Sequence, residues 1–480
     1  MSGGDIEVNN DILRGTPITN APGPINNKEQ HRAYVLNLYY GDYHFSWQDV
    51  EEGLGDFFGV SNALPIDDQR IVTKLRTQSF ELSRPWKIDG EWQAKAKLGY
   101  FSFIYDTNTY AVFPSGYKGL FPNGVLGSPY YDDGKWYLIS DFQYNGLSDH
   151  EILLGVDFSY LKQGDSYVYK NYDTNLNPNT TPPTLQKYTG ADSWIKDGLE
   201  RRVLAMYAQD QYTFSTQLKF TAGVRFDYYD DVGSDLTPRL AAVYQLSDQK
   251  TLKLQYAKSF RPPTFLELYT QNTPIVSGND NLNSEHLSSL ELGYVHNDGV
   301  TIFRSTLFKY TLKDLIQLDG TSGIYENQGR IVANGLEMEY LRQVDRQTKI
   351  DTNFSYINSE KDESGYRIPG VGNVLGNFAI LYEPWPDYIF SWQYKHVTYR
   401  EREPADTRPE LGDYNISDIT ASLFNFGAKG FTLRFGVKNI FDSKVVYPSF
   451  LVGTPPVPSY LNDYPQSGRE LFVQGNYTFL

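Results

Sequence analysis

The stretch LKFTAGVRFD, residues 218–227, places an apolar side chain at every second position, with polar, charged or glycine residues between. The apolar positions are Leu218, Phe220, Ala222, Val224 and Phe226. Alternation with a period of two is the pattern of a β-strand with two different faces. Residues 92–98 and 431–438 repeat it, again with lysine or arginine on the polar side. Charge at repeated inward steps favours the wall of a wet lumen over a dry sheet sandwich.

Between residues 33 and 480, nineteen such strands are predicted, and the connections between them alternate between short and long. The short connections lie at 41–42, 84–89, 146–149, 214–217, 247–250, 296–299, 345–348, 384–388 and 425–430. The long ones lie at 51–68, 105–130, 164–197, 260–283, 361–372, 402–411 and 443–465, with brief members at 229–235 and 319–322. Short turns at one rim and long loops at the other are the arrangement of an outer-membrane barrel.

Composition agrees with this fold and excludes several functions. Aromatic residues make up 15% of the chain, charged residues 21%, and the mean hydropathy is −0.48. No segment approaches the ~18 consecutive apolar residues of a membrane helix. A large soluble all-β protein would share this composition. The formal net charge of −15 argues against a nucleic-acid partner, and the absence of cysteine excludes disulfides and thiolate chemistry.

Several local patterns together resemble the barrel of the TonB-dependent outer-membrane receptors. They are YAQDQY at 207–212, GVRFDYYDD with TPRLAAVY within 223–244, YAKSFRPPTFLELY at 256–269, GNDNLNSEHLSSLELGY at 278–294, GLEMEY at 335–340, VKNIFD at 437–442 and GRELFVQGNYTFL at 468–480. The resemblance implies an all-β, transmembrane, antiparallel up-and-down barrel, with about 19–20 strands present of a 22-strand family barrel. It also implies a receptor in the Gram-negative outer membrane.

The resemblance also predicts a division of the chain. Residues 33–480 are expected to form the barrel, and 1–32 to be the remnant of an early strand, at Asp5–Asn9, followed by an extracellular loop. The family's plug domain, the box that contacts TonB and a secretory signal are not found in the sequence. The TonB complex would therefore be reached only through a plug outside this chain, and we expect a gap of about two strands beside residues 466–480.

The last strand resembles the signal read by the barrel-assembly machinery. Gly475, Tyr477 and Phe479 are expected to face lipid and lipopolysaccharide, although the chain ends on leucine rather than on an aromatic residue.

Ligand contacts are expected in the extracellular loops and upper lumen. Arginine and aromatic rings there suit anionic or ring-bearing small molecules. The candidates are Arg261, Phe265, Tyr269, Tyr117, Tyr130, Tyr131 and Trp136, with packing in loops and aromatic girdles as the alternative role for each.

Four aspartates form a weaker calcium candidate: Asp227, Asp230, Asp231 and Asp235. Their spacing is not that of an EF-hand, so a solvated loop is the alternative. No cofactor is expected. The six histidines are scattered and no catalytic motif accompanies them, so an enzyme is not predicted.

The predicted function is uptake of a scarce ligand such as an iron–siderophore complex or cobalamin, and no residue selects between them. A passive plugless pore and a truncated, non-functional barrel fragment are the alternatives.

Overall fold

The fold is described from a computed structural model, which covers residues 12–13, 16–17, 19–20, 22–59, 64, 70–319, 322–361, 365–449, 451–452 and 456–479. Within these residues, nineteen antiparallel strands follow one another around a single curved wall. They are β1 Glu29–Tyr40, β2 Tyr43–Leu54, β3 Thr73–Lys87, β4 Trp92–Thr107, β5 Val125–Tyr144, β6 His150–Lys170, β7 Glu200–Thr213, β8 Leu218–Tyr229, β9 Gly233–Ser247, β10 Lys250–Arg261, β11 Glu285–Asn297, β12 Thr301–Lys313, β13 Arg330–Gln343, β14 Thr348–Lys361, β15 Gly372–Tyr382, β16 Tyr388–Arg400, β17 Tyr414–Leu423, β18 Phe431–Lys438 and β19 Glu470–Tyr477.

The all-β antiparallel barrel fold predicted from alternation is confirmed, and each of the nineteen predicted strands has a counterpart. The brief connection predicted at 319–322 is different: β12 ends at Lys313, and residues 314–329 carry a small hairpin of Ile316–Leu318 and Tyr325–Asn327. Asp314, at φ 55°, breaks the strand where the hairpin leaves the wall.

The remaining regular elements lie in connections. Short strand pairs are Ile12–Leu13 with Thr16–Pro17, Val446–Tyr447 with Tyr464–Pro465, and Leu451–Val452 with Val457–Pro458. Tyr110–Phe113 adds to β5 and Gln186–Thr189 adds to β6. A 3-10 turn spans Gly190–Asp192 and an α-helix spans Phe265–Tyr269. No helix in the described part of the chain is long and apolar enough to span a membrane.

The ladder registers assign the two faces of the wall. Residues directly opposite in an antiparallel pair share a face, so one face can be followed from strand to strand. On β8 the apolar alternate residues, Phe220 and Val224 among them, are exposed, whereas Arg225 is half-buried and Asp227 buried. The apolar face is therefore the outer one and the polar face lines the lumen, as the sequence predicts.

The same assignment holds at the end of the chain. Phe431, Leu433 and Phe435 lie opposite Tyr477, Gly475 and Val473, on the outer face. Arg434 and Lys438 share the inner face with Gln474 and Glu470.

The two end strands leave a seam in the wall. β1 pairs with β2, β19 pairs with β18, and among the described residues no ladder joins β1 to β19. Both faces of β1 are exposed, and on β19 Leu471 is 80% exposed. The seam lies where the sequence predicts a gap; the proposed remnant strand at Asp5–Asn9 lies outside the described residues.

Extracellular loops bridge this seam at one rim. Tyr460, in the connection between β18 and β19, is fully buried and its hydroxyl donates to the carbonyl of Phe58, in the connection after β2. The Phe58 ring also lies 4.5 Å from the ring of Tyr464, and Leu64 and Ile25 pack into the same cluster. The loops thus join the two sides of the wall that strand pairing leaves apart.

Candidate functional site

An open cavity of about 700 Å³ lies on the inner face. Its lining comes from seven consecutive strands, β2 to β8, which only the concave side of a curved wall can bring together. Its lining includes Phe101, Lys135, Tyr137, Asp157, Arg201, Arg225, Asp227 and Tyr229.

Most charges in the cavity are paired within the wall. Arg225 donates to Asp157 at 2.7 Å and to Asp227 at 2.9–3.0 Å, and it lies 5.4 Å from the centre of the Tyr207 ring. Tyr207 in turn donates to Asp141. These inward groups fix β5 to β8 relative to one another, and because one guanidinium faces three carboxylates the network is net negative.

Lys135 is the exception. It lies on the inner face of β5, and no described carboxylate lies within ion-pair distance of its ammonium, which sits 5.8 Å from the centre of the Tyr137 ring. Phe101 lies directly opposite on β4. An uncompensated cation flanked by aromatic rings attracts an anion with flat, apolar groups.

Arg201 closes the extracellular end of the cavity. Its guanidinium binds Asp231 at 2.7 Å and donates to the carbonyl of Pro263 at 3.0 Å. The guanidinium carbon lies 5.0 Å from the centre of the Phe265 ring and 5.8 Å from that of Tyr229. Arg201 therefore ties the loop after β10 to the wall strand β7.

The start of that loop is fixed by Arg261. It donates to Glu285 at 2.7 Å and, through two nitrogens, to Glu267 at 2.9 and 3.0 Å. Glu267 also completes a capping box with Thr264, so the helix Phe265–Tyr269 begins there. Burial raises the pKa of Glu267, but the bonds from Arg261 and Thr264 outweigh it and hold that pKa below its ordinary value.

The structure brings three of the predicted ligand residues together: Arg261, Phe265 and Tyr269. The Tyr269 ring lies 5.4 Å from the ammonium of Lys196 and 6.2 Å from the Phe265 ring. Arg261 is occupied by two carboxylates, so its role here is to position the loop. Phe265 and Tyr269 remain exposed in part.

The other predicted ligand residues lie elsewhere. Tyr117 is buried in the apolar core of the connection between β4 and β5, so it packs that loop. Tyr131 faces inward and stacks on Tyr105 at 5.2 Å. The expectation that Tyr130 and Trp136 contact a ligand in the upper lumen conflicts with the register of β5, which puts both on the outer face, where Tyr130 stacks on Tyr167 at 4.8 Å.

The calcium hypothesis is not supported by the geometry. Three of the four carboxylates already face cationic or histidine side chains: Asp227 binds Arg225, Asp231 binds Arg201, and Asp235 lies 2.6 Å from His286. Asp230 caps the backbone N–H of Arg202. Within the described residues, no group of three His, Asp or Glu side chains could hold a metal ion.

Lys135 and Arg201 were missed by the sequence analysis. Both stand at inward positions, Arg201 at the extracellular end of β7 and Lys135 midway along β5, and the alternation of each strand is the signal that the sequence offers. What the sequence does not show is which inward cations find a carboxylate partner, because those partners lie on other strands.

A family model described as TonB dependent receptor-like, beta-barrel matches residues 14–440. Among curated proteins, the ferric enterobactin receptor PirA of Pseudomonas aeruginosa is 25% identical over 289 residues, which are 51% of this chain and 37% of that protein. The ferrienterobactin receptor of Escherichia coli is 23% identical over 51% of this chain and 37% of its own. The matches thus span well under half the length of these relatives.

Solved structures are similar over nearly the whole chain. A mutant of the ferric enterobactin receptor PfeA of P. aeruginosa superposes with a TM-score of 0.73 at 16% identity, covering 98% of this chain and 72% of that one. The siderophore receptor PirA of Acinetobacter baumannii gives a TM-score of 0.69 at 14% identity, covering 95% and 72%. At these identities the structural likeness carries the fold alone.

Proposed function

We propose, on the premise that the chain belongs to the family of TonB-dependent receptor β-barrels, that it is a receptor for uptake of an anionic iron–siderophore complex. Its location is the Gram-negative outer membrane. Members of this family are receptors and transporters rather than enzymes. The relatives named for ferric enterobactin support the choice of cargo.

The observation that carries the proposal is the unpaired ammonium of Lys135 in the inner cavity. Its ammonium attracts an anionic complex across the open cavity. Phe101, Tyr137 and Tyr229 line the same cavity and offer ring faces to an aromatic ligand. A negatively charged, ring-bearing iron complex fits this lining better than neutral cobalamin does.

Phe265 and Tyr269 complete the proposed path from outside. They stand on the loop that Arg201 and Arg261 hold against the wall, at the extracellular end of the cavity. A ligand would meet these rings first and Lys135 afterwards.

The partners are part of the proposal. The TonB complex would energise uptake by acting through a plug. The barrel-assembly machinery would insert the barrel by binding Gly475, Tyr477 and Phe479. The outer face of the barrel would contact lipopolysaccharide. The outer-face position of Gly475 and Tyr477 supports the contacts with the assembly machinery and with lipopolysaccharide. We also propose that the barrel domain begins near Glu29, four residues before the predicted boundary at 33.

The test measures binding of a ferric tricatecholate complex to the protein in outer-membrane vesicles. Lys135→Ala should weaken binding about tenfold and Lys135→Glu further, whereas Lys135→Arg should retain most of it. Lys253→Ala is the matched control, since Lys253 is also inward but lies on β10, away from the cavity. Equal affinity in the wild type, Lys135→Ala and Lys135→Glu would refute the proposal.

A further inference from the structure

A second hollow lies on the outer, lipid-facing side of the wall, whereas the proposed receptor cavity lies on the inner side. It has a volume of about 490 Å³ and is formed by β3 to β6. The residues that shape it are Gln78, Tyr100, Ser102, Asp132, Trp136 and Lys162.

The floor and sides of the hollow follow from the strand registers. Four aromatic residues stand in one row across neighbouring strands: Phe80, Tyr100, Trp136 and Tyr160. The next row towards the extracellular rim is Gln78, Ser102, Gly134 and Lys162. The Tyr100 ring lies over Gly134, so the depression opens over Ser102 and Asp132, above the aromatic platform.

The height of the hollow follows from a second aromatic row. On β4, Trp92 near the opposite rim packs against Tyr144, with ring centres 4.7 Å apart, and lies eight residues from Tyr100. Eight residues extend ~26 Å along a strand, and a tilt of ~35–45° reduces this to ~20 Å across the membrane. Since exposed Leu98 and Leu138 lie between the rows, the two rows mark the interfaces of the lipid band, and the hollow opens among the outer head groups.

The charges around the hollow argue against a phosphate as the main occupant. Lys162 lies 3.3 Å from Glu200, and Arg76 lies 2.6 Å from Asp49. Each cation is thus compensated, while hydroxyl, amide and carboxylate groups remain around a platform of rings. Hydrogen-bond donors and acceptors around an aromatic surface suit a neutral, amphipathic sugar ring.

Resting on the lipopolysaccharide contact of the proposed function, we propose that this hollow is a binding site for a sugar of the lipopolysaccharide head group. The occupant is a membrane glycolipid rather than a free saccharide, because the hollow continues directly into the lipid-facing surface below Trp136. Its acyl chains would lie along Leu98 and Leu138, and its sugar would rest on Tyr100 and Trp136.

The test uses the protein extracted from outer membranes in mild detergent, with saturable binding of purified lipopolysaccharide as the readout. Trp136→Ala removes the platform and Ser102→Trp fills the depression, so each should weaken binding at least tenfold. Trp392→Ala is the matched control: Trp392 is also an outer-face tryptophan between two aromatic rings, Phe378 and Tyr394, on the far strand β16. It should bind as the wild type does.

Two further ligands distinguish binding of the sugar from binding of a phosphate group or of phospholipid. Enzymatically dephosphorylated lipopolysaccharide should bind within about threefold of the intact molecule, and phosphatidylglycerol vesicles should show no saturable binding. Unchanged binding in both Trp136→Ala and Ser102→Trp would overturn the proposal, as would loss of binding on dephosphorylation or an equal loss in Trp392→Ala. Retained heat-modifiable mobility on gels establishes that each variant has folded.

Discussion

The extracellular loops on one side of the seam depend on a buried cluster of two arginines and two aspartates, Arg402, Arg408, Asp406 and Asp463. Asp463 binds Arg402 at 2.6 Å and Arg408 at 2.8 Å, and Asp406 binds Arg408 at 2.7 Å. All four side chains are at most 12% exposed. Asp463 also accepts the backbone N–H of Ser449. The cluster links the connection after β16 to the connection before β19.

Replacement of Asp463 by alanine should release these loops. The cluster as it stands is neutral, and the variant leaves one buried positive charge uncompensated. Breaking a buried pair costs ~3–5 kcal/mol, and the remaining Asp406 offsets part of this, so we expect about 3 kcal/mol at the lower end of that range. Such a change raises the local opening equilibrium by about 150-fold. Asp463→Asn keeps one acceptor oxygen and should show a smaller effect.

Hydrogen exchange read by mass spectrometry is the assay, with residues 401–413 and 439–469 as reporters and β7–β10 as internal reference. Glu410→Gln is the control, because Glu410 is exposed in the same connection. Loss of Asp463 should also accelerate exchange near Phe58, since Tyr460 carries the contact across the seam. If exchange in Asp463→Ala equals that of the wild type in residues 401–413, in residues 439–469 and near Phe58, the reasoning is refuted.

The same cluster predicts a pH dependence. Burial raises the pKa of Asp463, but hydrogen bonds from Arg402 and Ser449 outweigh it, so its folded pKa lies below 3.8. A lowered folded pKa gives stability that is present above the unfolded value and is lost as pH falls through the folded value. Protection of the loops should therefore persist at pH 5 and fall below about pH 4, and Asp463→Asn should show a weaker dependence.

Two further predictions concern other parts of the molecule. Leu254→Arg, on the outer face of β10, should destabilise the folded barrel in lipid by about 2–4 kcal/mol, whereas inward Gln255→Arg should be nearly neutral because Glu291 lies beside it. The free energy of unfolding of both variants is measured by urea titration in vesicles, with heat-modifiable mobility on gels as the readout. A larger loss in Gln255→Arg than in Leu254→Arg would contradict the face assignment. Glu267→Gln should destabilise the loop after β10 by about 1–3 kcal/mol because it weakens the bonds to Arg261 and to the helix cap. The measurement is the rate of proteolysis at residues 264–280, which should rise. Unchanged cleavage would contradict the role given to Arg261.

Alternation and connection length were enough to predict the wall. The turn at 214–217 is reproduced without change, and most other strand ends lie within five residues of their predicted positions. The start of β5, the end of β6 and the start of β13 differ by six or seven residues. This succeeds because a strand between lipid and lumen must alternate, and each strand pairs with its neighbour in sequence. The information needed is local.

The candidate site was less predictable because its contacts are not local. Trp136 is predicted as a ligand residue because it stands beside the long connection 105–130, and only the register of β5 reveals its outward direction. Arg402 and Asp463 lie 61 positions apart, and nothing in either segment alone marks them as partners. Asp231 likewise meets Arg201 through the fold of two strands.

The seam and the loop bridge together bear on how the barrel wall is held. Unpaired backbone groups of β1 and β19 that face hydrocarbon cost several kcal/mol each, so strand edges of this length require pairing within a membrane. The contacts among Phe58, Tyr460 and Tyr464 lie at the extracellular rim and satisfy none of those groups, yet they fix the rim independently of the ladder. The Asp463 cluster holds the segment that carries Tyr460. Loss of that cluster should therefore loosen the rim while the ladders from β1 to β19 persist, and exchange in β7–β10 should not change.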